Sequence, residues 1–180
     1  MLAAGAGSRF TGATHKLSAT LGSTTVLGAS VAAAVASGVG PVTVVWGAHD
    51  PSNELSGDVR LIRNERWADG LGTSLHLAIA EASQHGLDAV IVGLGDQPGV
   101  PPEAWRRVAT HRSGPIVSAG FGGVRRPPVR LDRVVWPLLP TEGDEGARAF
   151  FGAHPELLVT VECDGDPTDI DTVEDLARWT

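Results

Sequence analysis

The chain has 180 residues, of which 42% are hydrophobic and 19% charged, and this balance excludes a chain that is disordered throughout. The formal net charge of −7 comes from an acidic run over 162–175, while the charges of the remaining residues balance, which argues against a general nucleic-acid-binding face. The length predicts one domain over residues 1–180. The single cysteine, Cys163, excludes an internal disulfide and a cysteine-rich zinc site, and it favours a reducing compartment such as the cytoplasm.

The hydrophobic pattern predicts strands and helices in alternation. An apolar strand ends at residues 1–4, a loop follows over 5–15, and a helix spans Val26–Ser37 with Thr24 or Thr25 as its N-cap. The later predicted elements are strands at 42–46 and 59–63, a helix at 74–85, a strand at 89–94, a helix at 102–112, a strand at 116–119, a hairpin at 120–131, a helix at 144–153, a strand at 157–162 and a helix at 172–179.

This alternation predicts an α/β fold, namely a Rossmann-like three-layer domain with a mostly parallel sheet and helices on both faces. The uncharged stretch 26–46 is rich in Ala and Gly and is interrupted at Gly38–Pro41, so we interpret it as helix, turn and strand rather than as a membrane span. Ligands bind beyond the carboxyl ends of the strands in such sheets, and the loops 5–15, 64–73 and 95–101 leave strands there.

The first loop opens with Gly5-Ala6-Gly7-Ser8-Arg9 directly after a strand. Glycines let the backbone approach a ligand closely, and successive N–H groups can bind an anion. The dinucleotide fingerprint requires a glycine where this chain has Phe10, and the lysine of a Walker loop is also missing. What remains is a glycine loop with two cations, Arg9 and Lys16, the latter being the only lysine of the chain. They could bind phosphate, or they could be solvated cations beside a tight turn.

Two carboxylates are candidates for a magnesium site. Asp96 follows a buried strand, where it could hold Mg²⁺ or simply cap the turn before Pro98. Asp171 precedes the last helix and could be the second ligand, a part that Asp169 could also take. Alternatively, the acidic run is a solvated tail in which Asp171 or Thr172 caps the helix in an approximate capping box.

Two further features have open interpretations. Ser74, in the segment that begins at Gly70, could cap a helix or contact the polar edge of a ligand. Four arginines in the hairpin could be solvated or could bind an anionic second substrate: Arg125, Arg126, Arg130 and Arg133. The six histidines show no spacing typical of metal ligands.

Five segments, taken in order, resemble nucleotidyltransferases that act on molybdopterin, specifically the molybdenum cofactor cytidylyltransferase group. They are LAAGAGSRF at 2–10, NERWADGLGTSL at 64–75, GLGDQP at 93–98, GDEGAR at 143–148 and DIDTVEDL at 169–176. The resemblance implies a fold like that of the nucleotide-diphospho-sugar transferases. Guanylyl-transferring relatives typically have Gly in place of Ala4, so the resemblance favours CTP over GTP.

The resemblance also implies a reaction and a set of roles. The terminal phosphate of molybdopterin would attack the α-phosphate of CTP and release pyrophosphate, with Mg²⁺ as cofactor. Arg9 and Lys16 would neutralise the triphosphate and, with Asp96, would be the catalytic residues. Asp96 and Asp171 would hold Mg²⁺. The nucleotide would contact Ala3, Ala4, Gly5, Ala6 and Gly7, and the cytosine would lie against Gly70 and Ser74. The segment 144–148 and the hairpin at 125–133 would face the pterin, and a molybdenum hydroxylase would be a partner.

The chain departs from this family at three places. Relatives usually have several apolar residues before LAAG, so we expect the N-terminal strand to be truncated here. Relatives often read Arg-Gly-His-Pro where this chain has Arg-Arg-Pro-Pro at 125–128, and the first loop is one residue longer after Arg9. Two other functions therefore stay open: an NAD(P)H-dependent oxidoreductase acting on a heterocycle, and a non-catalytic protein that delivers cofactor to a molybdenum hydroxylase.

Overall fold

The computed structural model describes residues 1–55, 57, 59–143 and 147–179. Its strands are β1 (Leu2–Ala3), β2 (Thr20–Leu21), β3 (Thr24–Thr25), β4 (Val42–Trp46), β5 (Val59–Arg63), β6 (Ala89–Val92), β7 (Ile116–Phe121), β8 (Val124–Asp132) and β9 (Leu158–Glu162). Its α-helices are α1 (Val26–Ser37), α2 (Leu71–Gln84), α3 (Pro102–Thr110), α4 (Arg148–Ala153) and α5 (Val173–Ala177). Short 3₁₀ turns cover Lys16–Ser18, Trp67–Asp69, Arg133–Leu138 and Pro155–Leu157.

The short strand β1 joins two groups of strands. It pairs in parallel with β4, which pairs in parallel with β5. On its other side Leu2 forms a parallel bridge to Leu94, where Leu2 donates to the Gly93 carbonyl at 2.8 Å and accepts from Gly95 at 2.9 Å. β6 is the first strand of a four-stranded sheet with the order β6-β8-β7-β9, in which β8 alone is antiparallel to its neighbours. The carboxyl ends of β1 and β6 therefore lie side by side, as the predicted fold requires.

Two apolar clusters lie in separate parts of the core and bury different helices. One contains Leu27 and Val31 of α1 together with Trp105 of α3. The other contains Leu75 and Ile79 of α2. The helices thus pack in the two groups that a three-layer α/β fold needs, which confirms the predicted fold class. None of the helices in the part of the chain that the structure describes has the length and hydropathy to cross a membrane.

The helix α1 forms where the sequence predicts it. The Thr25 hydroxyl accepts a hydrogen bond from the Gly28 amide at 3.0 Å and so caps the first turn. Gly38 ends the helix with a φ of 67°, a left-handed conformation that favours glycine. These two signals are local in sequence, and both predicted boundaries are confirmed.

The helix α2 begins three residues earlier than the pattern predicts, and the interpretation of Ser74 as its N-cap is wrong. Gly70, with a φ of 103°, turns the chain into the helix at Leu71. The amide of Gly72 donates to the Gly143 carbonyl at 2.9 Å, so a distant segment satisfies a free amide of the first turn. This long-range bond carries no signal in the local sequence.

The C-terminal segment runs back across the carboxyl end of the sheet. Ile170 is fully buried against Val26, and its amide donates to the Asp96 carbonyl at 2.9 Å. Thr172 caps α5 in a capping box with Asp175. The interpretation of Asp171 as a cap is therefore wrong, and 169–171 is held against the fold rather than being a solvated tail. Residues 144–146, which the prediction placed in a helix with 147–153, lie outside the described residues.

Candidate active site

A cavity of about 290 Å³ opens where the carboxyl ends of β1 and β6 meet. Its wall contains eight of the residues that the sequence singled out, namely Ala3, Ala4, Gly5, Gly7, Arg9, Lys16, Asp96 and Asp171. Three other such residues, Ala6, Gly70 and Ser74, are not part of this wall. The parallel arrangement of β1 and β6 is what brings the first loop and Asp96 to one cavity.

The ammonium group of Lys16 lies between two carboxylates from distant parts of the chain. Its Nζ is 2.6 Å from Oδ2 of Asp96 and 2.9 Å from Oδ1 of Asp171. The side chain of Lys16 is only 11% exposed. Burial by itself lowers the pKa of Lys16, but the two carboxylates outweigh it and raise that pKa above its ordinary value. Lys16 is therefore a fixed positive charge in the cavity at neutral pH.

Asp171 also binds the second cation of the first loop. Arg9 approaches Oδ2 of Asp171 to 2.9 Å, while Lys16 contacts Oδ1 of the same carboxylate. The Arg9 side chain is 74% exposed, so this contact is screened by water and contributes little to stability. Arg9 can therefore exchange Asp171 for another anion at low energetic cost.

Asp169 is held by Gln97. The buried amide of Gln97 donates to Oδ1 of Asp169 at 2.8 Å and to the Pro167 carbonyl at 3.0 Å. Burial, followed by repulsion from Asp96, raises the pKa of Asp169, while Gln97 and the positive charge of Arg126 oppose that rise. Asp171, not Asp169, is thus the carboxylate that shares the lysine with Asp96.

The Asp96 and Asp171 pair has the chemistry of a small divalent-cation site. Both carboxylates already bind one cation, because each of them contacts the ammonium group of Lys16. Among the residues that the structure describes, no cluster of three or more His, Cys, Asp or Glu side chains could enclose a metal by itself. Mg²⁺ commonly takes one or two protein carboxylates and completes its shell with phosphate oxygens and water. The pair therefore fits an ion that arrives with a phosphate ligand.

The segment 64–74 contributes one residue, Leu71, to the cavity wall. The side-chain amide of buried Asn64 donates to the hydroxyls of Thr73 at 2.9 Å and Ser74 at 2.8 Å. Ser74 is only 1% exposed, so its hydroxyl faces Asn64 rather than the cavity. Leu71 follows the turn at Gly70 and lines the cavity, a position that the sequence analysis missed because it expected the helix to begin later.

The four arginines of the hairpin do not act together. Arg130 is only 4% exposed, forms an ion pair with Asp132 at 2.9 Å and donates to the His111 carbonyl. Arg133 lies over the ring of Trp136 with 5.8 Å between guanidinium and ring centroid. Arg130 is therefore neither solvated nor free to bind an anion, and a buried arginine satisfied by carbonyls could not be foreseen from the spacing.

Comparisons with known proteins agree with this geometry. The sequence model of the MobA-like NTP transferase domain matches residues 1–157. The fold is similar to that of a nucleotidyl transferase from Methanothermobacter, with a TM-score of 0.85, 27% identity, and coverage of 98% of this chain and 92% of that chain. It is also similar to Rv0371c from Mycobacterium tuberculosis, with a TM-score of 0.82, 25% identity, and coverage of 99% and 93%. A search of the curated proteins found no significant match.

Proposed function

Because the chain belongs to the MobA-like NTP transferase domain family and is a nucleotidyltransferase, we propose that it transfers a cytidylyl group from CTP to the terminal phosphate of molybdopterin. The observation that carries this proposal is the convergence of Asp96 and Asp171 on Lys16 beside the glycine loop. The same arrangement offers fixed positive charge for a triphosphate and carboxylate oxygen for a divalent cation. The family match favours this reaction over the oxidoreductase and delivery alternatives.

The first loop provides the triphosphate site of the proposal. Gly5 and Gly7 line the cavity, and Gly7 has a φ of 62°, which lets successive amides turn toward one side of the loop. Lys16 offers a point charge from the cavity floor, and the exposed Arg9 can turn from Asp171 to grip a phosphate with two parallel hydrogen bonds. The incoming phosphate replaces Asp171 as the partner of Arg9.

The transfer is a substitution at the α-phosphorus of CTP. A terminal phosphate oxygen of molybdopterin forms the new P–O bond, the bond between the α-phosphorus and the bridging oxygen breaks, and pyrophosphate leaves with that electron pair. Such a reaction depends on alignment and on stabilisation of the phosphoryl charge rather than on a covalent enzyme intermediate. Lys16 and Arg9 stabilise the growing negative charge of the pyrophosphate.

Asp96 and Asp171 are the residues that would hold Mg²⁺. When bound, Mg²⁺ supplies Lewis-acid stabilisation of phosphate charge. The carboxylates also fix the position of Lys16, because each of them accepts a hydrogen bond from its ammonium group. Removing either carboxylate therefore affects both the cation site and the lysine.

Two features support CTP as the nucleotide. Ala4 lies in the cavity wall at the position where guanylyl-transferring relatives typically have glycine, so a methyl group narrows the pocket there. Leu71 adds an apolar surface to the cavity wall.

The second substrate lies next to this cavity in the proposal. Of the hairpin arginines, Arg125 is exposed. The positive charge of Arg126 opposes the rise in the pKa of Asp169, so the hairpin lies close enough to interact with the carboxylates of the site. We assign the pterin side to these two arginines and to Ala147 and Arg148, while Asp144–Gly146 of the same motif lie outside the described residues. A molybdenum hydroxylase as partner and a cytoplasmic location belong to the same proposal, and the buried free thiol of Cys163 supports a reducing compartment.

Incubation of the protein with Mg²⁺, CTP and molybdopterin tests the proposal. We expect pyrophosphate release that requires all three components. Thermal shifts with CTP, GTP, UTP and ATP, each with Mg²⁺, measure nucleotide choice, and we expect CTP to protect the protein most. Protection by GTP alone would overturn the choice of base, and protection by none of the four nucleotides would overturn the nucleotide site. Pyrophosphate release with CTP and a different phosphorylated acceptor would overturn molybdopterin as the acceptor.

A further inference from the structure

The first loop is closed by a histidine to which the sequence analysis gave no role. His15 lies just before Lys16, and its Nδ1 accepts a hydrogen bond from the Leu17 amide at 3.3 Å. Its Nε2 lies 3.2 Å from the carbonyl oxygen of Gly5. Because Nδ1 is an acceptor, the proton of the neutral ring is on Nε2, which donates to Gly5. One imidazole thus connects the beginning of the glycine loop to its end.

The ring of His15 also contacts the middle of the loop. A Cβ atom placed on Gly7 would lie 3.1 Å from Nε2 of His15 and 3.1 Å from Cγ of Lys16. Gly7 therefore packs against both side chains, with little space left between them. A movement of the His15 ring would change the position of the loop backbone and of the Lys16 stem together.

A second histidine supports the ring from the other side. His49 stacks on His15 with 4.9 Å between ring centroids and 11° between planes. Nε2 of His49 is 2.5 Å from Oε1 of Glu54 and 2.7 Å from the Ser18 hydroxyl, which itself donates to Glu54 at 2.7 Å. The Ser18 contact ties this support to the 3₁₀ turn that contains Lys16.

The charged groups that face His15 all lower its pKa. Burial lowers the pKa of His15 from its ordinary value of 6.5, and electrostatic repulsion by the neighbouring His49 and Lys16 lowers it further, while the Gly5 contact opposes the change. The ring is therefore neutral at neutral pH. A protonated ring would have a proton on Nδ1, where it would point at the Leu17 amide that now donates to that atom.

We propose that His15 is a positioning residue that closes the loop from Gly5 to Lys16 and thereby sets the phosphate-binding backbone and the Lys16 ammonium in one geometry. The proposal rests on the triphosphate site of the proposed function. It does not depend on which base the nucleotide carries, because His15 contacts only the loop.

Calorimetric titration with inorganic tripolyphosphate and Mg²⁺ tests His15 without reference to the base, and CTP is titrated in parallel. We expect His15→Ala to weaken tripolyphosphate binding about 3- to 10-fold at pH 7.5, the effect of one or two lost hydrogen bonds. His15→Gln, which can reach Gly5 with an amide N–H, should recover most of that loss. His76→Ala, at an exposed histidine of α2, is the matched control and should bind as the wild type does.

The pH profile separates positioning from a merely structural role. Between pH 7.5 and 5 the wild type should lose affinity for tripolyphosphate beyond the loss seen in His15→Asn, which keeps an acceptor for Leu17 but does not titrate. In His49→Gln the loss of affinity should persist and move to higher pH, because one contribution that lowers the pKa of His15, the electrostatic interaction with His49, is removed. Wild-type affinity in His15→Ala, or identical pH profiles of wild type and His15→Asn, would overturn the proposal. Failure of CTP alone, with tripolyphosphate behaving as expected, would instead overturn the choice of nucleotide.

Discussion

The variant Asp96→Asn is expected to release pyrophosphate about 10²- to 10³-fold more slowly than the wild type, the range typical of losing one preorganised charge contact. The substitution removes the carboxylate that contacts Lys16 at 2.6 Å and that would hold the cation. It leaves the backbone of the segment in place, because the Asp96 carbonyl still accepts the hydrogen bond from the Ile170 amide. We therefore expect an intact fold, with an unfolding transition close to that of the wild type.

Asp88→Asn is the matched control for this loss. Asp88 is exposed and lies just before β6, at the end of the strand opposite Asp96, so the same change in charge occurs away from the cavity. Its turnover should equal that of the wild type. Turnover of Asp96→Asn within about fivefold of the wild type, in a steady-state pyrophosphate assay, would remove Asp96 from the catalytic residues; fivefold corresponds to only about 1 kcal/mol.

The variant Lys16→Met is expected to lose both activity and stability. Without the ammonium, Asp96 and Asp171 face each other with side chains only 19% and 21% exposed, and the triphosphate loses its fixed charge. We expect kcat/KM to fall about 10³-fold and the free energy of unfolding at pH 7 to fall by about 1–3 kcal/mol, less than for a fully buried pair because water reaches the carboxylates.

The double variant Lys16→Met/Asp171→Asn separates the two losses. Removing one of the repelling carboxylates should recover most of the stability in chemical denaturation, while the activity stays low because the Lys16 ammonium is still missing.

The two carboxylates raise the pKa of Lys16 above 10.5, so its stabilising contribution is present throughout neutral pH and disappears only in strongly alkaline solution. A single variant Lys16→Met that is as stable and as active as the wild type would contradict the arrangement of these three side chains.

The fold could be predicted where the signals are local. Thr25 and Gly38 mark both ends of α1, and the β-branched run of β4 identifies a buried strand. The meeting of Asp96 with the first loop followed from topology, because parallel neighbours carry their loops to the same edge of the sheet. The nucleotidyltransferase family, which five ordered segments indicated, is confirmed by the match over residues 1–157.

Features that depend on contacts between distant segments could not be predicted in this way. Thr172 and Asp171 are both acceptable caps by residue type, and only the position of Ile170 in the core decides that Asp171 points toward Lys16. By residue type Ser74 could be a cap or a ligand contact, but in the fold its hydroxyl accepts a hydrogen bond from the side-chain amide of Asn64. The role of His15 depends on the tautomer that Leu17 and Gly5 impose, and spacing alone does not specify a tautomer.

Electron paramagnetic resonance of bound Mn²⁺ reads out the proposed cation site itself. If Asp96 and Asp171 jointly hold a divalent ion together with a triphosphate, CTP should strengthen Mn²⁺ binding to the wild-type protein by at least about tenfold, an energetic coupling of about 1.4 kcal/mol. In Asp96→Asn/Asp171→Asn this strengthening should disappear, while the fold is retained by circular dichroism. A double variant that binds Mn²⁺ and CTP together as tightly as the wild type would contradict a cation site formed by these two carboxylates.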